Sequence, residues 1–273
     1  MPFILIKGTF QLDAGIPDGD SVRFMADDDR LFDLLQGRPV EFKADGTVQL
    51  RYEGIDTIEK AATQPLAGDS RDKNFELLRE LDDPFAETPR GFILARQTDV
   101  NRRPVCFAFS GNSNGADGEV VFLDAPLTRK SVNYKMVDSG FAYTMFYETL
   151  YMEIRQELAA AFVSARSGQR GLHQNDGTTA GVRIRGRNDL ATIPPIYPKL
   201  WRRLEEYLRN HTSIADFKTW PRLRGSEKLS TLSDGRTSIT FDNVIDVQDD
   251  VVKLLYSAED MVFRPAYMPP QEL

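Results

Sequence analysis

The sequence predicts an α+β chain: a small barrel of about five strands with helices inserted between and after them, followed by a second, smaller α+β unit. Three observations carry that expectation. Segments rich in β-branched and aromatic residues recur up to Phe109, each bounded by turn-forming residues. The run "YMEIRQELAAAFVSARSGQRG" is dense in helix formers and stops at glycine. At residues 171–189, "GLHQNDGTTAGVRIRGRND", the composition shifts to Gly, Asn and Asp, the signature of a linker or irregular arm.

Taken in order, "FILIKGTFQLD" reads as a strand, and "PDGDSVRFM" as a turn opening into a second. "DDDRLFDLLQGR" reads as a short helix or excursion; its Asp27-Asp28-Asp29 run fits a solvated turn, because adjacent side chains diverge. "TVQLRYEGI" is a third strand. Phe75, Leu77, Leu78 and Leu81 fall near helical spacing over residues 69–81. "GFILARQ" and "RPVCFAF" are two further strands, and the pattern from Ser131 to Arg170 is helical. Beyond the arm, Tyr197, Leu200, Trp201, Leu204, Tyr207 and Leu208 form an apolar helix stripe. "TSITF", "VIDV" and "VVKLLY" read as short strands. The expected organisation is therefore a domain over 1–175, a linker over 176–192 and a unit over 193–273.

Bulk properties narrow the function classes. The 273 residues exceed one ordinary domain, and 41% hydrophobic with 27% charged residues is a soluble globular balance. A net charge of −7 argues against a surface coated in positive charge for nucleic acid, yet leaves room for a local basic groove. The longest apolar run near the start is "FILI", which leads to the expectation of no signal peptide, no membrane span and a cytoplasmic location. One cysteine, Cys106, excludes an intramolecular disulfide, and its place in "VCFAF" makes it a structural thiol. Two histidines make a His-based zinc site improbable.

Charged residues cluster where the third strand ends. Arg51 and Asp56 would stand about 17 Å apart on a fully extended strand, so a bend must bring them together, and Gly54 permits one. Four local patterns then line up in order. "DGDSVRF" resembles a D-G-D-T-hydrophobic strand. "RYEGIDTIE" is similar to R-x4-D-x-P-E. "DVNRRPVCFAF" resembles a D-x-Y-G-R strand start. "VDSGFAY", a long helix and "QRGLH" are similar to V-x-x-G-x-A followed by R-G-L-W. Together, from about Lys7 to His173, they resemble the staphylococcal-nuclease-like (thermonuclease) domain family.

The resemblance implies a five-stranded OB-fold barrel with three helices and a Ca²⁺-dependent nuclease acting on DNA or RNA. It implies metal ligands at Asp20, Asp56 and the carbonyl of Thr57, a hard-cation donor set. It further implies a base or water-orienting group at Glu59 and an arginine clamp on the scissile phosphate from Arg51 and Arg103. Arg102, Tyr143 and Tyr147 are further candidates for substrate contact, although the tyrosines are equally suited to packing on the barrel. The sequence departs from the family pattern at Ile58 (proline), at Val100-Asn101-Arg102 (Lys-Tyr-Gly) and at His173 (tryptophan); these departures bear on substrate preference. The alternative function is a catalytically weak or inactive module of the same kind that binds nucleic acid or protein. A third expectation is that the C-terminal unit binds a protein partner or governs access. Arg183, Arg185 and Arg187 in "VRIRGR" are a candidate nucleic-acid track or a solvated edge strand. His173, Trp201 and Trp220 read as packing residues, Asp18 as a turn residue, and His211 as a helix-end residue favouring the dipole.

Overall fold

The computed structural model describes residues 2–58, 67–225 and 227–265. The first strand, β1 (Pro2–Gln11), buries Phe3, Leu5, Ile6, Gly8 and Phe10, with half-buried Ile4, Lys7 and Thr9 between them. It is followed by β2 (Arg23–Ala26), β3 (Val48–Gln49), β4 (Arg51–Tyr52) and β5 (Ile55–Asp56). Helix α1 (Ala67–Arg79) leads to the long strands β6 (Arg90–Thr98) and β7 (Pro104–Ser110), and then to β8 (Val120–Phe122). The strand order is β3-β2-β1-β6-β7-β4, with β8 added on β1. Only Leu50 separates β3 from β4, so the two ends of this sheet are one stretch of chain and the sheet nearly closes into a barrel. Pairing is antiparallel except at the closing seam, where β4 runs parallel to β7.

The expected third strand is thus not one strand. It is three two-residue pieces that pair in turn with β2, β7 and the later segment Tyr143–Thr144. The break falls at Gly54, whose φ of +81° only glycine adopts freely, and a Cβ there would sit 2.6 Å from a Leu158 methyl carbon. The helical stretch expected from Ser131 to Arg170 is also divided. Helices α2 (Ala125–Thr128) and α3 (Val132–Asp138) precede two short strands, β9 (Tyr143–Thr144) and β10 (Phe146–Tyr147), and α4 (Met152–Ser167) follows. Helices α1 and α3 pack on β7, and α4 packs on α3. Ser131 and Asp124 cap α3 and α2 through their side-chain oxygens.

Residues 176–192, expected as a linker, are packed structure. They contain β11 (Val182–Arg183) and a 3-10 turn over Arg187–Ala191, and bury Val182, Ile184 and Leu190. After them come α5 (Pro198–Leu208), α6 (Pro221–Arg224), β12 (Leu229–Thr231), β13 (Ile245–Gln248), β14 (Val251–Leu254) and β15 (Met261–Phe263). The "TSITF" segment is not a strand; Ile239 makes one isolated bridge to Leu229. The small sheets run β10-β15-β12 and β11-β14-β13. Since β10 belongs to the N-terminal part and β15 to the C-terminal part, the two parts share a sheet, with Phe146 opposite Val262. Their cores also merge: Tyr143 meets Tyr197 edge-on at 5.9 Å.

Among the described residues no helix is long and apolar enough to cross a membrane. Cys106 is fully buried, and burial pushes its thiol well above the ordinary range, as a structural thiol requires. His173 is buried against Phe162 and Tyr143, Trp201 is buried, and Trp220 packs half-buried against Phe217 and Tyr207. The ring of His211 stacks on Tyr207 and its Nδ1 lies 2.8 Å from the Tyr207 carbonyl, at the C-terminal end of α5.

Candidate functional site

The partner switching of residues 48–56 builds the site. Because β4 lies parallel to β7, with Arg51 opposite Val105, Arg51 comes beside the start of the strand that carries Arg103. Both arginines line one cleft of about 220 Å³, together with Asp99, Glu53, Tyr147 and Glu227. Arg103 is held by its own turn: its Nε donates to Asp99 at 2.8 Å, and the same carboxylate accepts the backbone N–H groups of Arg103 and Asn101 at 2.9 Å. The Arg51 guanidinium is half-buried, and among the described residues it makes no ion pair within 4.0 Å. Arg103, by contrast, is paired with Asp99.

Two acids flank Arg51. Asp20 arrives from the loop before β2, which leans on the third-strand segment: Tyr52 N–H donates to the Asp20 carbonyl at 3.0 Å. A Cβ on Gly19 would lie 2.7 Å from the Thr57 side chain, so the Asp-Gly-Asp turn can approach Thr57 only with glycine there. Thr57 Oγ1 donates to Asp20 at 3.4 Å. Burial, reinforced by the charges of Asp18 and Asp56, raises the Asp20 carboxyl well above the usual range, against the pull of Arg51. Burial works against the charge of Arg51, but Asp20 and Asp56 outweigh it and leave the guanidinium raised.

The structure brings Arg51, Arg103 and Tyr147 to the cleft, and Asp20, Asp56 and Thr57 beside it. Glu59 lies outside the described residues. Tyr147 is held above its ordinary range by burial and by Glu227, to which its hydroxyl donates at 3.4 Å. Two candidate substrate residues point elsewhere. Tyr143 is fully buried, donates to Asp176 at 3.0 Å and belongs to the core. Arg102 donates to the Pro39 carbonyl at 2.8 Å and adopts φ +61°, at the position where the family pattern has glycine. Each arginine of the track has a carboxylate partner: Arg183 and Arg185 share Asp250, and Arg187 pairs with Glu205.

Sequence reasoning missed the groups that reach the site from afar. Arg202, on α5, donates from Nη1 and Nη2 to the two oxygens of Asp56 at 3.1 and 2.7 Å. Glu227 meets Lys199 and Tyr147. Glu53 forms a buried pair with Arg96 at 3.2 Å, and burial raises its carboxyl. Asn133 fixes the backbone between β4 and β5 by donating to the carbonyls of Glu53 at 2.9 Å and Cys106 at 3.1 Å. Only the stripe of α5 hinted at any of these, and it signals packing.

The carboxylates of Asp20 and Asp56 with the Thr57 carbonyl would supply the oxygens a hard cation takes. Both oxygens of Asp56 are engaged by Arg202. As arranged, this donor set does not fit a divalent ion. Among the described residues no three His, Cys, Asp or Glu side chains gather as a cation site. Comparison with protein-family models and with curated proteins returned no match.

Proposed function

We propose that this chain engages the phosphodiester backbone of DNA or RNA in the cleft between Arg51 and Arg103 and hydrolyses it, as a nuclease of the staphylococcal-nuclease-like kind. The observation that carries the reading is the convergence of these two guanidinium groups, from β4 and from the turn before β7, on one cleft. Two positioned guanidinium groups bind an anionic diester and neutralise charge that grows on phosphorus as water attacks. The assignment of Glu59 as base rests on the resemblance alone.

The strand order supports reading the barrel as an OB-fold. Taking β3 and β4 as one bent strand, the ring runs first, second, third, fifth, fourth and back to the first, with the third and fifth parallel. No step in this reading passes through a metal, because the donor set beside Arg51 does not fit one. The test is digestion of plasmid DNA and of RNA, in Ca²⁺ and in chelator, by the wild type and by an Arg51→Gln/Arg103→Gln variant. The wild type should cleave at least one substrate and the variant should cleave neither. A wild type that leaves both substrates intact sinks the hydrolytic part.

A second reading has one observation in its favour. The Arg202–Asp56 pair occupies the carboxylate that the resemblance gives to a metal, which suits a catalytically weak or inactive module that binds nucleic acid. Retention of labelled oligonucleotide without cleavage would select it.

A further inference from the structure

The carboxylate of Asp56 is buried, and a buried charge is tolerated only beside a compensating one. Its compensation comes from Arg202, 146 residues further along the chain, in a two-pronged contact that suits a planar guanidinium. The helix that carries this arginine is firmly held. The N–H of Tyr197 donates to Thr178 at 2.9 Å, Trp201 Nε1 donates to the Leu190 carbonyl at 3.2 Å, and Leu200 and Leu204 are fully buried. Tyr197 packs edge-on against Tyr143, the residue paired with Asp56 across β5 and β9. The core that places α5 is therefore the core that places Asp56. The charge of Arg202 is also felt by Arg51 and Tyr147, so it belongs to the field of the cleft.

We propose that Arg202 is the resident cation of this site: it holds Asp56 where a divalent ion would sit, so Ca²⁺ and Arg202 exclude one another. In consequence the cleft attracts a phosphodiester through Arg51 and Arg103, with Arg202 adding positive charge beside them, and needs no divalent ion to do so. This second part rests on the phosphodiester reading above; the exclusion of Ca²⁺ does not.

The experiment uses the full chain. Ca²⁺ is titrated calorimetrically into wild type and Arg202→Gln in chelator-treated buffer, and melting temperatures are compared with and without Ca²⁺. In parallel, a short fluorescein-labelled single-stranded DNA is bound to the wild type in chelator and in Ca²⁺. Removing the guanidinium frees both Asp56 oxygens. Arg202→Gln should bind Ca²⁺ roughly tenfold or more tighter than wild type and melt higher when Ca²⁺ is present. Adding Asp56→Asn to that variant should abolish the response. Should Arg202→Gln fold neither with nor without Ca²⁺, Arg202→Lys takes its place. It keeps a charge for Asp56 but loses the fork, so it too should bind Ca²⁺ tighter than wild type. Equal Ca²⁺ behaviour of wild type and the folded variant, whether both bind or neither does, overturns the exclusion. Oligonucleotide that binds the wild type only with Ca²⁺ overturns the second part. A wild type that never binds it removes the phosphodiester reading, whatever the Ca²⁺ titrations give.

Discussion

Arg51 and Arg103 meet at one cleft because the chain between Val48 and Asp56 changes partners, leaving β4 to close the barrel against β7 in parallel. The two arginines are not equivalent. Asp99 fixes Arg103, whereas Arg51 is held in the field of Asp20 and Asp56. Arg51→Lys keeps the charge and loses the planar fork. If Arg51 neutralises charge on the reacting phosphate, cleavage should slow by about a hundredfold or more, as with loss of other preorganised donors. Single-turnover cleavage of a labelled oligonucleotide checks this. A rate close to that of wild type, with an unchanged melting temperature, would make Arg51 a structural charge only.

Gly54 is the bend on which the site depends. Alanine there would carry a side chain at φ +81° and push on Leu158, which is fully buried in α4. Strain at a left-handed position and overpacking each cost about 1–3 kcal/mol, so Gly54→Ala should destabilise by about 2–6 kcal/mol. Urea denaturation measures it. A loss well under 1 kcal/mol would mean that the β4-to-β5 segment tolerates another path.

Asp20 sits where burial and two neighbouring acids oppose its charge. Such a position is costly for folding. Asp20→Asn keeps the shape and removes the repulsion, so the protein should gain stability, by about 0.5–2 kcal/mol at neutral pH. Because Asp20 helps to hold Arg51 in the cleft, oligonucleotide cleavage should fall at the same time. Denaturant melts and cleavage rates on one preparation decide it. Lost stability would show that the Asp20 charge is needed by Arg51 for folding.

Elements that bury both faces or repeat a clear period were legible in the sequence. Strands β1, β6 and β7 fall within or close to "FILIKGTFQLD", "GFILARQ" and "RPVCFAF", and the stripe of α5 was read correctly. The three-residue strands β8, β12 and β15 were not foreseen, since their pairing partners, not their own residues, make them strands. The same holds for β9 and β10 inside an apparently helical stretch. The arm at 176–192 was read from its Gly, Asn and Asp content, whereas Val182, Ile184 and Leu190 carry its burial. Within the site, Arg51 and Asp56 were marked by their close spacing, and Asp20 and Arg103 by the family resemblance. Arg202 was invisible because its neighbours in sequence spell an ordinary amphipathic helix, and only the tertiary fold brings it to Asp56.

Lys199 offers a pH test of how the C-terminal part is held. Its ammonium is buried, 4.2 Å from the centre of the Phe263 ring, and pairs with Glu227. Burial pushes it down to about 8, against the pull of Glu227. The unfolded chain holds that proton until about pH 10.4. Between these values the unfolded state binds more protons, so the contribution of Lys199 to stability rises with pH. It is absent below about pH 8 and amounts to about 3 kcal/mol at most once both states are neutral. The buried phenols of Tyr52, Tyr143, Tyr147 and Tyr197, all raised chiefly by burial, act in the opposite sense above about pH 10, where the unfolded chain ionises first. The informative window is therefore pH 8 to 10. Lys199→Met fills a similar volume without a titrating group, and Glu227 is exposed enough to be hydrated. Across that window, urea-unfolding free energies should climb with pH more steeply for wild type than for Lys199→Met. Parallel curves for the two proteins would mean that Lys199 titrates as an ordinary lysine, and that its pairing with Glu227 offsets the burial.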